Sequence, residues 1–132
     1  MRSKEKKTIE IVVFLHVSLN KYGLLGKNLA HSFSKDFFTQ LFEEKNLSAE
    51  YDLIELDSSK NLTAFLKEKI TVYRGLNVTV PYKEQVMPLL DDIDDEALMI
   101  GAVNTIKVNE SGRTVGYNTD AFGFHQSIKP FL

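Results

Sequence analysis

The 132-residue sequence predicts an α/β fold, one mostly parallel mixed β-sheet flanked by helices on both faces. Three observations carry that expectation. Segments with the period-two alternation of a strand take turns with segments whose apolar residues recur three and four apart, and a β-α-β-α order implies a largely parallel sheet covered on both sides. The chain is 43% hydrophobic and 26% charged, the balance of a globular protein with enough residues for one domain and a real core. Within residues 75–84, Leu76, Val78 and Val80 alternate with Asn77 and Thr79, so a strand is expected there with an apolar core face and a polar face that awaits a partner.

The elements follow in order. Arg2, Lys4, Lys6 and Lys7 precede an apolar run over residues 11–19 that superficially resembles a signal peptide. The run is too short to span a bilayer, Glu10 and His16 border or interrupt it, and no small-x-small cleavage site follows. Residues 21–26 read as a short buried strand closed by Gly26. After a loop over 27–32, Phe33, Phe37, Phe38, Leu41 and Phe42 recur at helical spacing, so an amphipathic helix is expected over 34–46 with its phenylalanine stripe in the core. Ser32 and Ser34 flank its start, where free N–H groups and the positive dipole end favour an anion. Two hydroxyls there suit a carboxylate, and a simple helix cap is the plainer alternative.

Residues 50–56 form the next strand, and 57–59 start a helix carrying Leu62, Phe65, Leu66 and Ile70. The central strand over 76–80 ends at Pro81, which has no N–H for a ladder but suits a first helical turn. Lys83 therefore sits where strand gives way to a short helix containing Val86, Met87, Leu89 and Leu90, with Pro88 limiting its length. Ligands of open α/β sheets bind at that end of the strands. The acidic run 91–96 lacks calcium-loop spacing and reads as a solvated helix start. Residues 102–108 and 114–117, joined by a turn at 109–112, are expected to form a hairpin, and Asp120 beyond it is either a helix cap or a functional carboxylate.

Composition narrows the function classes. A formal charge of −2 from 16 basic and 18 acidic residues leaves no basic footprint for nucleic acid. With no cysteine there is no disulfide or thiolate chemistry, and the cytoplasm is the expected location. No G-x-G-x-x-G, P-loop, H-E-x-x-H or G-x-S-x-G motif is present, and His16, His31 and His125 are too scattered to suggest a metal.

Three stretches in fixed order then coincide with one pattern: AHSFS at 30–34, NVTVPYK at 77–83, and GAVNT at 101–105 with GYNTDAFGF at 116–124. Together they closely resemble the N-terminal, substrate-binding domain of shikimate dehydrogenase, from about Lys21 to the end, with residues 1–20 an extension outside the pattern. The resemblance implies NADP-dependent interconversion of 3-dehydroshikimate and shikimate. It implies that Ser32 and Ser34 bind the substrate carboxylate, that Thr79 helps hold the ligand, and that Asn104 and Asp120 bond ring hydroxyls. Lys83 and Asp120 match the family's catalytic pair: as hydride moves at carbon a proton must move at oxygen, and an ammonium beside a carboxylate can give or take it. Where many members continue with proline and later histidine and asparagine after Ser34, this chain has Lys35, Phe38 and Thr39.

The family's following NADP-binding Rossmann domain is missing from the sequence. The expectation is a truncated substrate domain that binds shikimate, needs a separate or missing NADP domain for turnover, holds no metal, and is soluble but prone to form homo-oligomers. A stand-alone, non-catalytic binding module and a quinate or quinate/shikimate dehydrogenase domain are the alternatives.

Overall fold

The structure, a computed structural model, describes residues 20–120, 126 and 128–131. The apolar run at 11–19, His16, His125 and positions 121–124 of the last motif lie outside the described residues. Six strands are described: β1 (Asn20–Gly26), β2 (Ala49–Glu55), β3 (Gly75–Val78), β4 (Asp92–Ile93), β5 (Thr105–Val108) and β6 (Thr114–Tyr117). They form one sheet in the order β2-β1-β3-β5-β6-β4. β1 runs parallel to both β2 and β3, and β4 parallel to β6. β3–β5 and β5–β6 are antiparallel, the latter pair being the expected hairpin. The mixed, mainly parallel sheet of the sequence reading is the one observed.

Alternation along the strands sorts the side chains to two faces. Leu25, Ile54, Leu76 and Val78 join Leu62, Phe65 and Leu66 of helix α2 (Ser59–Glu68) in the main core. Ser58 caps α2, its hydroxyl accepting the Asn61 N–H at 3.2 Å. On the opposite face Leu24 and Tyr51 pack with Tyr22 and with Phe38 and Phe42 of helix α1 (Ser34–Glu44). The Tyr51 and Phe38 rings stack at 4.7 Å. A third, short helix, α3 (Asp95–Ile100), is capped by Asp94, whose carboxylate accepts the Glu96 N–H, and stops at Gly101, where φ is +82°. That left-handed geometry is one glycine adopts without steric cost.

Four expectations need correction. The phenylalanine stripe of α1 is not core: no residue of that helix is fully buried, Phe33 and Phe37 are exposed, and only Phe38, Leu41 and Phe42 are half-buried. The helix lies over β1 and β2, and that narrow support covers only one side of the stripe. Val80 is 71% exposed rather than buried with Leu76 and Val78, because β3 ends at Val78 and a turn closed by the Tyr82 N–H on the Thr79 carbonyl carries Val80 outward. The helix expected after Lys83 is a run of turns ending in a single 3₁₀ turn, Met87–Leu89, since Pro88 brings no N–H to continue a ladder. The acidic run is likewise split: Asp92 and Ile93 form β4 before the helix begins.

Candidate active site

The polar face of the sequence reading gathers where β3 ends. Thr79 continues the register of β3, its N–H donating to the Leu25 carbonyl at 2.9 Å, and the turn that follows sets Lys83 beside the β5 entry. The Lys83 carbonyl accepts the Val103 N–H at 2.8 Å, so the lysine backbone is fastened to the segment that carries Asn104. Lys83 Nζ lies 3.2 Å from Asp120 Oδ2. The other Asp120 oxygen accepts from Asn104 Nδ2 at 2.8 Å. One carboxylate thus bridges an ammonium and an amide, and each fixes a different oxygen.

Asn104 is the organising residue of this cluster. It is 8% exposed, its backbone bonds both β3 and β6 through Val78 and Tyr117, and its side-chain oxygen accepts from the Thr119 N–H at 3.0 Å, the Thr119 hydroxyl at 3.2 Å and the Thr105 hydroxyl at 3.0 Å. Buried amides of this kind hold one orientation because every donor and acceptor is matched. Asn118 does the same one step on: it donates to the Ala102 carbonyl and accepts the Asp120 N–H at 2.9 Å. The carboxylate of Asp120 is therefore aimed from its own backbone as well as from Asn104.

The serines form a second group at the start of α1. Both are half-buried, and Ser32 Oγ accepts the Ser34 N–H at 3.2 Å, a local turn before the helix, whose N-cap position is Phe33 and carries no side-chain cap bond, so neither serine is the cap that was the plainer alternative. Beyond that turn, the Ser34 hydroxyl lies beside the Tyr51 oxygen. Tyr51 in turn donates to Asn77 Oδ1 at 2.8 Å. Burial pushes the Tyr51 hydroxyl up to about 12, with the Ser34 hydrogen bond opposing the shift, so it stays a neutral donor. Gly26 ties this group to Thr79: a Cβ there would stand 2.6 Å from Thr79 Cγ2 and 2.7 Å from Leu29 Cδ2. Among the described residues no hydrogen bond joins the serine group directly to the Lys83 group.

The structure so brings Lys83, Asn104 and Asp120 into direct contact and sets Ser32, Ser34 and Thr79 on the same side of the sheet through Asn77 and Gly26. Tyr51 and Thr119 are the members the sequence reading missed. Thr119 lay within a quoted motif and had a signal; Tyr51 read as one more strand aromatic and had none. An apolar groove of about 350 Å³, lined by Tyr22, Phe38, Phe42, Tyr51, Asn77 and Thr105 among others, lies on the α1 face and meets the polar groups at Tyr51, Asn77 and Thr105. No group of three metal-ligating side chains is found among the described residues, and no helix there is long and apolar enough to cross a membrane.

A charged pair and a hydroxyl-rich helix start at the carboxyl ends of parallel strands define a small-molecule-binding domain of the α/β class. The chain belongs to the family described as the shikimate dehydrogenase substrate binding domain, whose model matches residues 24–106. That match includes Ser32, Ser34, Thr79, Lys83 and Asn104 and stops before Asp120. A shikimate dehydrogenase (NADP(+)) from Aquifex aeolicus is 42% identical over 111 residues, covering 84% of this chain and 41% of the relative. The shikimate 5-dehydrogenase of Thermus thermophilus, solved with NADP(H) and shikimate, is 37% identical with a TM-score of 0.77, over 84% of this chain and 42% of the other. A quinate dehydrogenase from Corynebacterium glutamicum, solved with NAD, is 31% identical with a TM-score of 0.76, over 84% of this chain and 41% of that one. The chain therefore spans about two fifths of the length of these relatives.

Proposed function

We propose that residues 21–132 are the substrate-binding part of an NADP-dependent shikimate dehydrogenase located in the cytoplasm, with residues 1–20 an extension outside the family pattern. The observation that carries this reading is the 3.2 Å contact of Lys83 with Asp120, whose second oxygen is held by Asn104. Ser32 and Ser34 receive the carboxylate of shikimate or 3-dehydroshikimate, Thr79 holds the ligand from the strand side, and Asn104 and Asp120 bond ring hydroxyls, Asn104 by exchanging an internal partner such as the Thr119 hydroxyl for the ligand. Interconverting a ring ketone and alcohol requires a proton to arrive at or leave one oxygen. Lys83 supplies or accepts it, and Asp120 orients the ammonium.

NADP, the cofactor in the relatives' names, does not fit the described residues: no strand there runs through a Gly-x-Gly-x-x-Gly turn into a helix. What this chain supplies is ligand binding, orientation and the proton, and turnover requires a dinucleotide-binding domain as partner. A calorimetric titration of the 132-residue chain with shikimate tests the reading. Saturable binding, weakened in Lys83→Ala, is expected; a folded chain that binds no shikimate overturns it. Quinate serves as the competitor, because the likeness to a quinate dehydrogenase makes a quinate-preferring site the second reading.

A further inference from the structure

The loop between β1 and α1 carries Ser32, yet it has no strand or helix of its own to hold it. Its anchor is Leu29. The Leu29 side chain is 3% exposed and packs with Leu24 and Tyr51. Its carbonyl accepts the Ser32 N–H at 3.0 Å, and Ser32 Oγ in turn accepts the Ser34 N–H at 3.2 Å. The remaining polar group of Leu29, its N–H, is taken by Glu55 Oε1 at 2.8 Å. Glu55 is the last residue of β2, in register with Gly26 of β1, and the next N–H, of Leu56, donates to the Gly26 carbonyl at 2.9 Å. The carboxylate therefore stands on the sheet framework and reaches over to the loop.

We propose that Glu55 is a positioning residue for the serine pair, holding the Leu29–Ser32 turn so that the Ser32 and Ser34 hydroxyls face the ligand carboxylate. This rests on the shikimate reading above. A carboxylate accepting a backbone N–H makes one of the stronger hydrogen bonds available to a loop, and it holds Leu29 beside the carbonyl to which the Ser32 N–H donates. The glutamate brings a negative charge toward a site for an anion. What the turn needs is the acceptor oxygen and its reach, not the charge, so a glutamine preserves the function and a shorter side chain does not.

The test compares Glu55→Ala, Glu55→Asp and Glu55→Gln in the 132-residue chain. Calorimetry reads shikimate against its methyl ester, and hydrogen exchange reads the Leu29 amide. In Glu55→Ala and Glu55→Asp shikimate binding is expected to weaken about threefold to tenfold while ester binding stays as in the parent. Preference for the free carboxylate therefore shrinks, which general destabilisation would not produce. Glu55→Gln is expected to keep that preference. Parent-like preference in Glu55→Ala and Glu55→Asp overturns the role of Glu55 and leaves the shikimate reading standing. If the parent chain itself binds no shikimate, the functional reading falls, and the amide decides the rest: faster Leu29 exchange in Glu55→Ala but not Glu55→Gln supports the anchoring, and unchanged exchange overturns it.

Discussion

Lys83 and Asp120 are worth different amounts to stability and to binding. Their side chains are 34% and 64% exposed. Water screens such a pair, so it contributes only about 0–1 kcal/mol to folding. A ligand hydroxyl placed between them would exclude that water and meet an ammonium and a carboxylate already oriented. Asp120→Asn keeps an acceptor for Asn104 but removes the charge, and is expected to shift the urea-unfolding free energy by less than about 1 kcal/mol while lowering shikimate affinity about tenfold or more. A stability loss as large as the affinity loss would show the pair to be structural. Tyr51 makes a sharper case. Tyr51→Phe keeps the ring stacked on Phe38 but leaves Asn77 Oδ1 without its donor, so we expect a loss of about 1–2 kcal/mol in denaturant titration together with weaker shikimate binding. Gly26→Ala forces its Cβ into Thr79 and Leu29, an overpacking that costs about 1–3 kcal/mol and displaces Thr79 and the Leu29 turn that carries Ser32. At this scale the family was legible in short motifs, as around Ser32, Thr79, Lys83 and Asn104, all within the matched residues 24–106. It was opaque at Tyr51, whose partner Asn77 stands 26 residues away on a strand that only the fold brings near.

The elements were legible where local chemistry and tertiary packing agree. β1, β2, α2 and the β5–β6 hairpin each carry a periodic apolar set that ends up buried, so their existence could be read directly. The strand order could not, since alternation says which face is apolar and nothing about which neighbour supplies the ladder. β4 escaped notice for a related reason. Two residues make no pattern, and what holds them is a lock elsewhere: the Asp91 carboxylate accepts the Thr114 N–H at 2.8 Å and its hydroxyl at 3.1 Å, while the Asp91 N–H donates back to that hydroxyl at 3.0 Å. These bonds to Thr114 hold the Asp91 carboxyl below its ordinary value of 3.8. A depressed folded value adds stability that is present above the unfolded value and is lost as pH falls through the folded one. Urea midpoints are therefore expected to drop progressively as pH falls below about 5, and Asp91→Asn to flatten that part of the profile. An unchanged slope in the variant would assign the acid loss to other carboxylates.

Across the whole molecule the two faces of the sheet are unequally covered. On one side α2 and the segment from Tyr82 to Ile93 close the main core over Leu25, Leu76, Val78 and Ile106. On the other, α1 lies mainly over β2 and β1, and the groove beside it runs from Tyr22, Phe38 and Phe42 to Gly75, Thr105 and Lys107 of β3 and β5. Phe37, 61% exposed, stands edge-on to Phe38 at 5.2 Å, so an accessible ring continues the half-buried aromatic set. Apolar surface of this continuity is removed from water when two copies meet, and each aromatic side chain so buried contributes about 1.5–3 kcal/mol. The chain is accordingly expected to self-associate, with a weight-average mass in sedimentation equilibrium that rises with loading concentration. Phe37→Lys places a charge at the rim of the groove without touching Ser34, Tyr51 or the Lys83 cluster. It is expected to return the chain to monomer at concentrations where the parent is associated, and to leave shikimate binding intact. A parent chain that stays monomeric up to millimolar concentration would mean that the half-covered face is adequately solvated by Asn77, Thr105 and Lys107 despite its aromatic side.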